Sequence, residues 1–364
     1  MPGKSLKMPS RLRKTLASIL VVVTGAFAAS PTLSAEPLRI LVPKFSGERE
    51  VTTAVSMTVY FEMLKAFGSP SGAERGAWIL YGQDESNISS HKDAVDAASW
   101  PSVRADIVVW GHATRYGDGV VIDPRVTRTP VSRQRKEQPE VLQAIFETPA
   151  GEYDLSLANS AAFFDLEPFV LSNAFIEQSE NYSKGIPIYP SLDSDKPGEY
   201  TSNVVYFLEV SETAALVRYD GAKEGWIKFP ALPREDLSMA YFGQGLIHIL
   251  RGDWRGASKS FTELNEFSSL PNSMRVDANI YLGIAQYKLG LDGLATFRRA
   301  AGLNGFDKDA VKFFLVGLLL DYRQKREPAL LDELATNIEK HQVLFSTSDP
   351  WFSDLRKLTA QYRQ

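Results

Sequence analysis

The sequence contains no cysteine. That absence excludes a disulfide framework, a thiol nucleophile, thiolate zinc ligands and a lipid-modified amino-terminal Cys in one step. Histidine is nearly as scarce. His91, His112, His248 and His341 are the full set, and no two have the three- to five-residue spacing that sets a pair of imidazoles on one helical face for a metal. His112 follows the apolar run VVWG, where a hydrogen-bonded strand histidine is the simpler reading and a general base at a sheet edge the sharper one. His248 reads as a packing residue of a helix. There is no G-x-S-x-G and no phosphate-binding glycine loop. The carboxylate pairs Asp84 with Glu85 and Asp193 with Asp195 lie in loop-like sequence without the glycine of a calcium loop, so they read as solvated loops.

Long apolar runs are missing after the first 35 residues, so no integral membrane segment is expected in the mature chain. The first 35 read as a secretory signal. Lys4, Lys7, Arg11, Arg13 and Lys14 precede an apolar run from Leu16 to Ala29, whose 14 residues fall short of the roughly 20 a membrane span requires. Cleavage is expected after Ala35, with Ala28 second, and an uncleaved anchor is the alternative. The signal carries five of the 40 Lys and Arg and none of the 44 Asp and Glu, so the mature chain stands near −9 rather than −4. No basic stripe follows residue 140, and an acidic field repels phosphate backbones, which makes nucleic acid a poor partner.

What is present is alternation of strand and helix from residue 36 to residue 130. LRILVPKF reads as a strand, Thr52 to Phe67 as an amphipathic helix with Val55, Val59 and Met63 four apart, and AWILY as a second strand. Ser90 with Asp93 forms a capping-box start for a short helix, and ADIVVWGHATRY pairs with VVIDPRVT across Gly117-Asp118-Gly119 as a hairpin. This βαβαββ order implies a small sheet with helices packed on it. The charged stretch Val131 to Gln138 reads as a boundary, residues 131–234 as a β-rich middle region, and residues 235–364 as an all-α array with turns at Gly252-Asp253, Gly290 and Pro328. The expected fold class is multi-domain α+β, with residues 36–130 and 235–364 folding independently and protease cutting near Arg133 to Lys136.

Gly245, Gly283 and Gly317 recur at intervals of 38 and 34 residues in the first helices of successive pairs. AYFGQGLIHILRGDWRGASKSFTELNEF resembles a tetratricopeptide repeat, with Tyr241, Gly245, Gly252, Trp254, Ala257 and Phe261 at its large, small, turn, aromatic, small and aromatic positions. NIYLGIAQYKLGLDGLATFRRAA follows the same pattern through Leu282, Gly283, Tyr287, Gly290, Phe297 and Ala300 if two residues are omitted near Leu291. KFFLVGLLLDYRQ with ALLDELATNI keeps Gly317 and the apolar spacing, and reads as a degenerate or capping pair. ILVPKF together with ADIVVWGHATRYGDGVVIDPRV is similar in pattern to the amino-terminal α/β domain of TolB and to FlgO-type and penicillin-binding-protein-activator domains of the envelope. ALVRYDGAKEGWIKFP resembles the last strands of bacterial SH3-like barrels.

The tetratricopeptide resemblance implies a superhelix with a concave groove for a peptide or protein. The first-helix positions that face such a groove are Met239, Phe242, Ile249, Ile280, Tyr281, Tyr287, Lys288, Tyr322 and Arg323. Packing against the neighbouring pair is the competing role for the same residues. Tyr and Arg dominate many binding interfaces, and the mixed aromatic and cationic set suits an acidic peptide. The expectation is an exported, periplasmic adaptor or scaffold that docks another envelope protein or peptide, with no catalytic residues, metal or cofactor. The alternatives are an envelope polysaccharide or peptidoglycan hydrolase and a structural subunit of a secretion or motility assembly.

Overall fold

Strand β1 (Leu38–Pro43) runs between two parallel partners, with Ile40 paired to Ile79 on one side and to Ile107 on the other. The computed structural model describes residues 37–67, 77–82, 88–134, 138–149, 151–202, 205–346 and 348–364. The expected signal segment lies outside these residues, as do Asp84, Glu85 and residues 135–137. After β1 come β2 (Ser46–Gly47), α1 (Arg49–Phe67), β3 (Ala77–Gly82), α2 (His91–Ala98), β4 (Ile107–Tyr116) and β5 (Gly119–Arg128). The sheet order β3-β1-β4-β5 means that the chain leaves β1 to one side and then crosses to the other, which creates a topological switch between β1 and β4. Period-2 alternation divides the faces. Ile40, Val42, Ile107, Val109, Ile122 and Val126 pack toward α1, while Leu41, Val108 and Trp110 pack with Ala94, Ala97 and Ala98 of α2.

Helix α1 departs from the expected amphipathic helix because it is covered all round. Thr52, Ser56 and Thr58 are buried together with Val55, Val59 and Met63. Ser56 resolves its own polarity by donating to the Thr52 carbonyl at 2.6 Å and accepting the Phe45 N–H at 2.8 Å.

The middle of the chain holds α3 (Pro130–Arg133), β6 (Ile145–Thr148), β7 (Gly151–Asp154), β8 (Phe163–Asp165), β9 (Phe169–Val170), α4 (Asn173–Ser179), β10 (Ile186–Ile188), β11 (Glu199–Thr201), β12 (Tyr206–Val210), β13 (Ala214–Tyr219) and β14 (Lys223–Lys228). These strands do not make one β region. Strands β8 and β9 extend the first sheet antiparallel to β5, whereas β12-β13-β14, β10-β11 and β6-β7 are separate small sheets. The charged stretch expected as a boundary is instead bracketed by an ion pair between Arg128 and Glu140, whose side chains are 4% and 3% exposed.

The remainder is helical: α5 (Ser238–Leu250), α6 (Trp254–Asn265), α7 (Asn272–Lys288), α8 (Leu294–Leu303), α9 (Lys308–Lys325), α10 (Pro328–His341) and α11 (Pro350–Tyr362). Among the described residues no helix is long and apolar enough to cross a membrane. Residues 37–364 form one compact unit, and a single apolar cluster runs from Leu38 to Leu358. Phe61 of α1 stacks on Phe229 at 3.9 Å, and α5 packs on α1, β4 and β5. The expected divisions at 130 and 235 are therefore bridged by shared core. Periodicity reveals that a helix has an apolar face without revealing which element covers it.

Candidate functional site

From α5 to α10 each helix packs against the next. Glycine allows the close approach within the pairs: a Cβ at Gly245 would stand 2.6 Å from the Phe261 ring and one at Gly283 would stand 2.3 Å from the Phe297 ring. The face formed by α5, α7 and α9 is where the groove was expected, and the chain itself fills it. Met239, Phe242, Ile249, Ile280 and Tyr281 are buried. The Phe242 ring lies 4.6 Å from Phe164 of β8 and 6.3 Å from Tyr281. Arg323 donates to the Ile145 carbonyl at 3.0 Å and covers the Phe146 ring at 5.1 Å. Tyr287 braces the second and third pairs by donating to Asp321 at 2.8 Å and to the Gly317 carbonyl at 3.1 Å. Lys288 is exposed and lies over Trp254 at 5.6 Å, and Tyr322 packs on Tyr362 at 5.5 Å. Tyr287, Lys288, Tyr322 and Arg323 thus share the carboxyl-terminal ends of α7 and α9, separated from the buried Met239, Phe242 and Tyr281.

Polar contacts fasten the covering segment. Asn159 donates to Asp277 at 2.8 Å, Ser160 donates to Asp309, and the Trp351 indole donates to the Leu155 carbonyl at 3.4 Å. Burial, opposed by the Asn159 hydrogen bond and reinforced by the charges of Asp307 and Asp309, pushes the Asp277 carboxyl up to about 6.

The other face of the sheet is different. The cluster beneath α2 reaches Trp110, and beyond it β4 and β5 carry partly exposed His112 and Asp123, then exposed Thr114 and Tyr116. Ser46, His112 and Asp123 lie in one cross-strand row, Ser46 opposite His112 across β2-β4 and His112 opposite Asp123 across β4-β5. Ser46 Oγ is 2.5 Å from His112 Nδ1 and 3.5 Å from the Gly111 carbonyl. The adjacent row holds Trp110, Arg125 and Asp165, with Arg125 over the indole at 5.3 Å and bonded to Asp165 at 2.9 Å. Gly47 makes this arrangement possible. Its φ is +117°, and a Cβ there would stand 2.1 Å from the Ala113 carbonyl oxygen, so a side chain would push β2 off β4. At the rim, Arg115 grips Glu48 with two bonds of 2.6 and 2.8 Å, which holds the Glu48 carboxyl below the usual carboxylate range.

The remaining chemical candidates have structural roles. His248 bonds Asp253 at 2.8 Å, Asp253 caps α6, and burial depresses the His248 imidazole. Arg251, Gly252 and Asp253 accordingly make the turn from α5 to α6. His91 contacts Thr127 at 3.2 Å. Among the described residues no group of three His, Asp or Glu side chains can hold a metal. A cleft of about 470 Å³ in the middle region is lined by Tyr182, Tyr189, Phe229 and Lys228, but the Lys228 ammonium is turned to the Ser194 carbonyl at 2.9 Å. Sequence reasoning singled out His112 and missed Ser46, whose partner is 66 residues away and is set by the pairing of a two-residue strand. No family model, curated protein or solved structure matches the chain.

Proposed function

We propose that this chain is an exported binding protein of the cell envelope, periplasmic once its signal is removed, which holds a partner protein or peptide on the uncovered part of its sheet. The helical array acts as an internal clamp in this reading. Its tetratricopeptide-like pairing and the TolB-like pattern of the first strands support a scaffold role by resemblance. The observation that carries the proposal is the exposure of Tyr116 (81%) and Val170 (65%) on the sheet face that α2 leaves open, while Phe242 and Tyr281 of the expected groove are closed off. By strand alternation Tyr116 shares a face with His112 and Thr114, and Val170 stands opposite Val121 on the same side. Exposed aromatic and apolar side chains beside a polar rim are the composition of a docking surface. The occupant is a segment of an envelope protein that presents apolar side chains; the preference for an acidic peptide belonged to a groove whose Arg323 is already engaged by Ile145.

Photo-crosslinking amino acids placed at Tyr116 and, separately, at Lys288 in the native envelope test this directly. The expected adduct forms from position 116 and not from position 288. An adduct from 288 alone returns the docking site to the rim of the helical array, and none from either position removes the binding reading. The mass of the native protein should correspond to a chain beginning at Glu36.

A further inference from the structure

We propose that Ser46, His112 and Asp123 form an acyl-transfer site at the margin of the open sheet face, with Ser46, 8% exposed beneath the partly exposed His112, as nucleophile, His112 as its general base and an acyl ester as substrate. This rests on side-chain geometry and is independent of docking at Tyr116 and Val170.

Three observations converge. The nearest polar neighbour of Ser46 Oγ is an imidazole nitrogen at 2.5 Å, closer than the Gly111 carbonyl at 3.5 Å that would suffice to pin β2. For Ser46 to donate to Nδ1 the His112 ring must carry its proton on Nε2, and Asp123 is the carboxylate opposite it on β5, where facing Cβ atoms stand about 4.5–5.5 Å apart. That carboxylate is not hydrogen-bonded to the ring, and it stabilises by charge across the row the imidazolium that forms when His112 takes the serine proton. The row also lies just beyond the carboxyl end of β1 and midway along β4, beside the topological switch, where open α/β sheets bind ligands. The 19-residue α1 begins three positions after Ser46 and packs on the other face of the sheet. The one acidic side chain between them, Glu48, is neutralised by Arg115.

The chemistry balances without an oxidant or cofactor. Ser46 Oγ attacks the acyl carbonyl carbon as its proton passes to His112 Nδ1. The tetrahedral intermediate collapses, the bond to the leaving alcohol breaks, and His112 returns the proton to that alcohol. Water then attacks the acyl-Ser46 ester, its proton passes by way of His112 to Ser46 Oγ, and a carboxylic acid departs.

Three probes test the site in the full exported chain. A fluorophosphonate should label the peptide that contains Ser46. His112→Gln should slow labelling about 100-fold or more, and Asp123→Asn about 10-fold or more with an unchanged melting temperature. Turnover of p-nitrophenyl acetate should fall to the buffer rate in Ser46→Ala. Because the chain has no cysteine, Ser46→Cys supplies its sole thiol. That thiol should react with iodoacetamide at pH 7 about 10-fold faster than the thiol of Ser102→Cys, a control at an exposed position. Absence of label on Ser46, or a Ser46→Cys thiol slower than the control, overturns the proposal and leaves Ser46 as the peg that holds β2 to β4.

Discussion

Asp277 offers the sharpest quantitative check on the idea that the helical array clamps its own middle segment. Its carboxyl accepts a hydrogen bond from Asn159 and is pushed up to about 6 by burial beside Asp307 and Asp309. In the unfolded chain the same group titrates near 3.8. Between these values the folded state binds the proton that the unfolded state has released, so stability falls as pH rises through this window. Above pH 7 the full penalty applies, about 3 kcal/mol at 1.36 kcal/mol per pH unit, and partial exposure of Asp277 lowers this to about 2 kcal/mol. Below the unfolded value both states are protonated and the penalty vanishes. Asp277→Asn keeps an oxygen to accept from Asn159 and removes the charge. Urea unfolding should show the variant more stable than the parent by about 2 kcal/mol at pH 7.5 and by well under 1 kcal/mol at pH 4. A gain of equal size at both pH values, or a loss at pH 7.5, would refute an ionised carboxylate strained under the clamp.

Other outcomes follow from the same architecture. Glu140→Ala, which strands the buried Arg128 guanidinium, should cost about 3–5 kcal/mol in urea unfolding, and Arg128→Met combined with Glu140→Leu should recover most of it. Gly283→Ala drives a Cβ into the Phe297 ring and should lose about 1–3 kcal/mol, partly regained when Phe297→Leu is added. Phe242→Ala should lower stability by about 3–5 kcal/mol while leaving partner capture per folded molecule unchanged; weakened capture at full stability would restore a groove role. Proteolysis near Arg133 should yield fragments that co-elute and unfold together, because the apolar cluster spans the cut, whereas fragments that separate and melt alone would revive independent domains.

What could be read from the sequence was what depends on near neighbours along the chain. The three- and four-residue spacing located the helices from α5 onward, Gly117-Asp118-Gly119 placed the turn of the β4-β5 hairpin, and the Ser90 side chain does accept the Asp93 N–H at 3.2 Å. What escaped depends on pairings across long separations. Strands β8 and β9, three and two residues long, are too short to display alternation, so nothing marked them as extensions of the first sheet. Arg128 and Glu140 flank the charged stretch that reads as a boundary, and nothing in their spacing shows that each makes burial of the other tolerable. The groove residues show how this limit reaches function. Tyr281, Phe242 and Met239 were assigned to a binding face because an unpaired helical array must leave one face open, and the apolar pattern is the same whether a partner or the chain itself occupies it. Here segment 142–166 occupies it, held by Asn159, Ser160 and the grip of Arg323 on Ile145. Burial in cis moves the open surface to the far side of the sheet, where strand register rather than sequence spacing brings Ser46, His112 and Asp123 into one row. Such a row cannot be found by spacing, since the three residues come from strands whose order along the chain is not their order in the sheet.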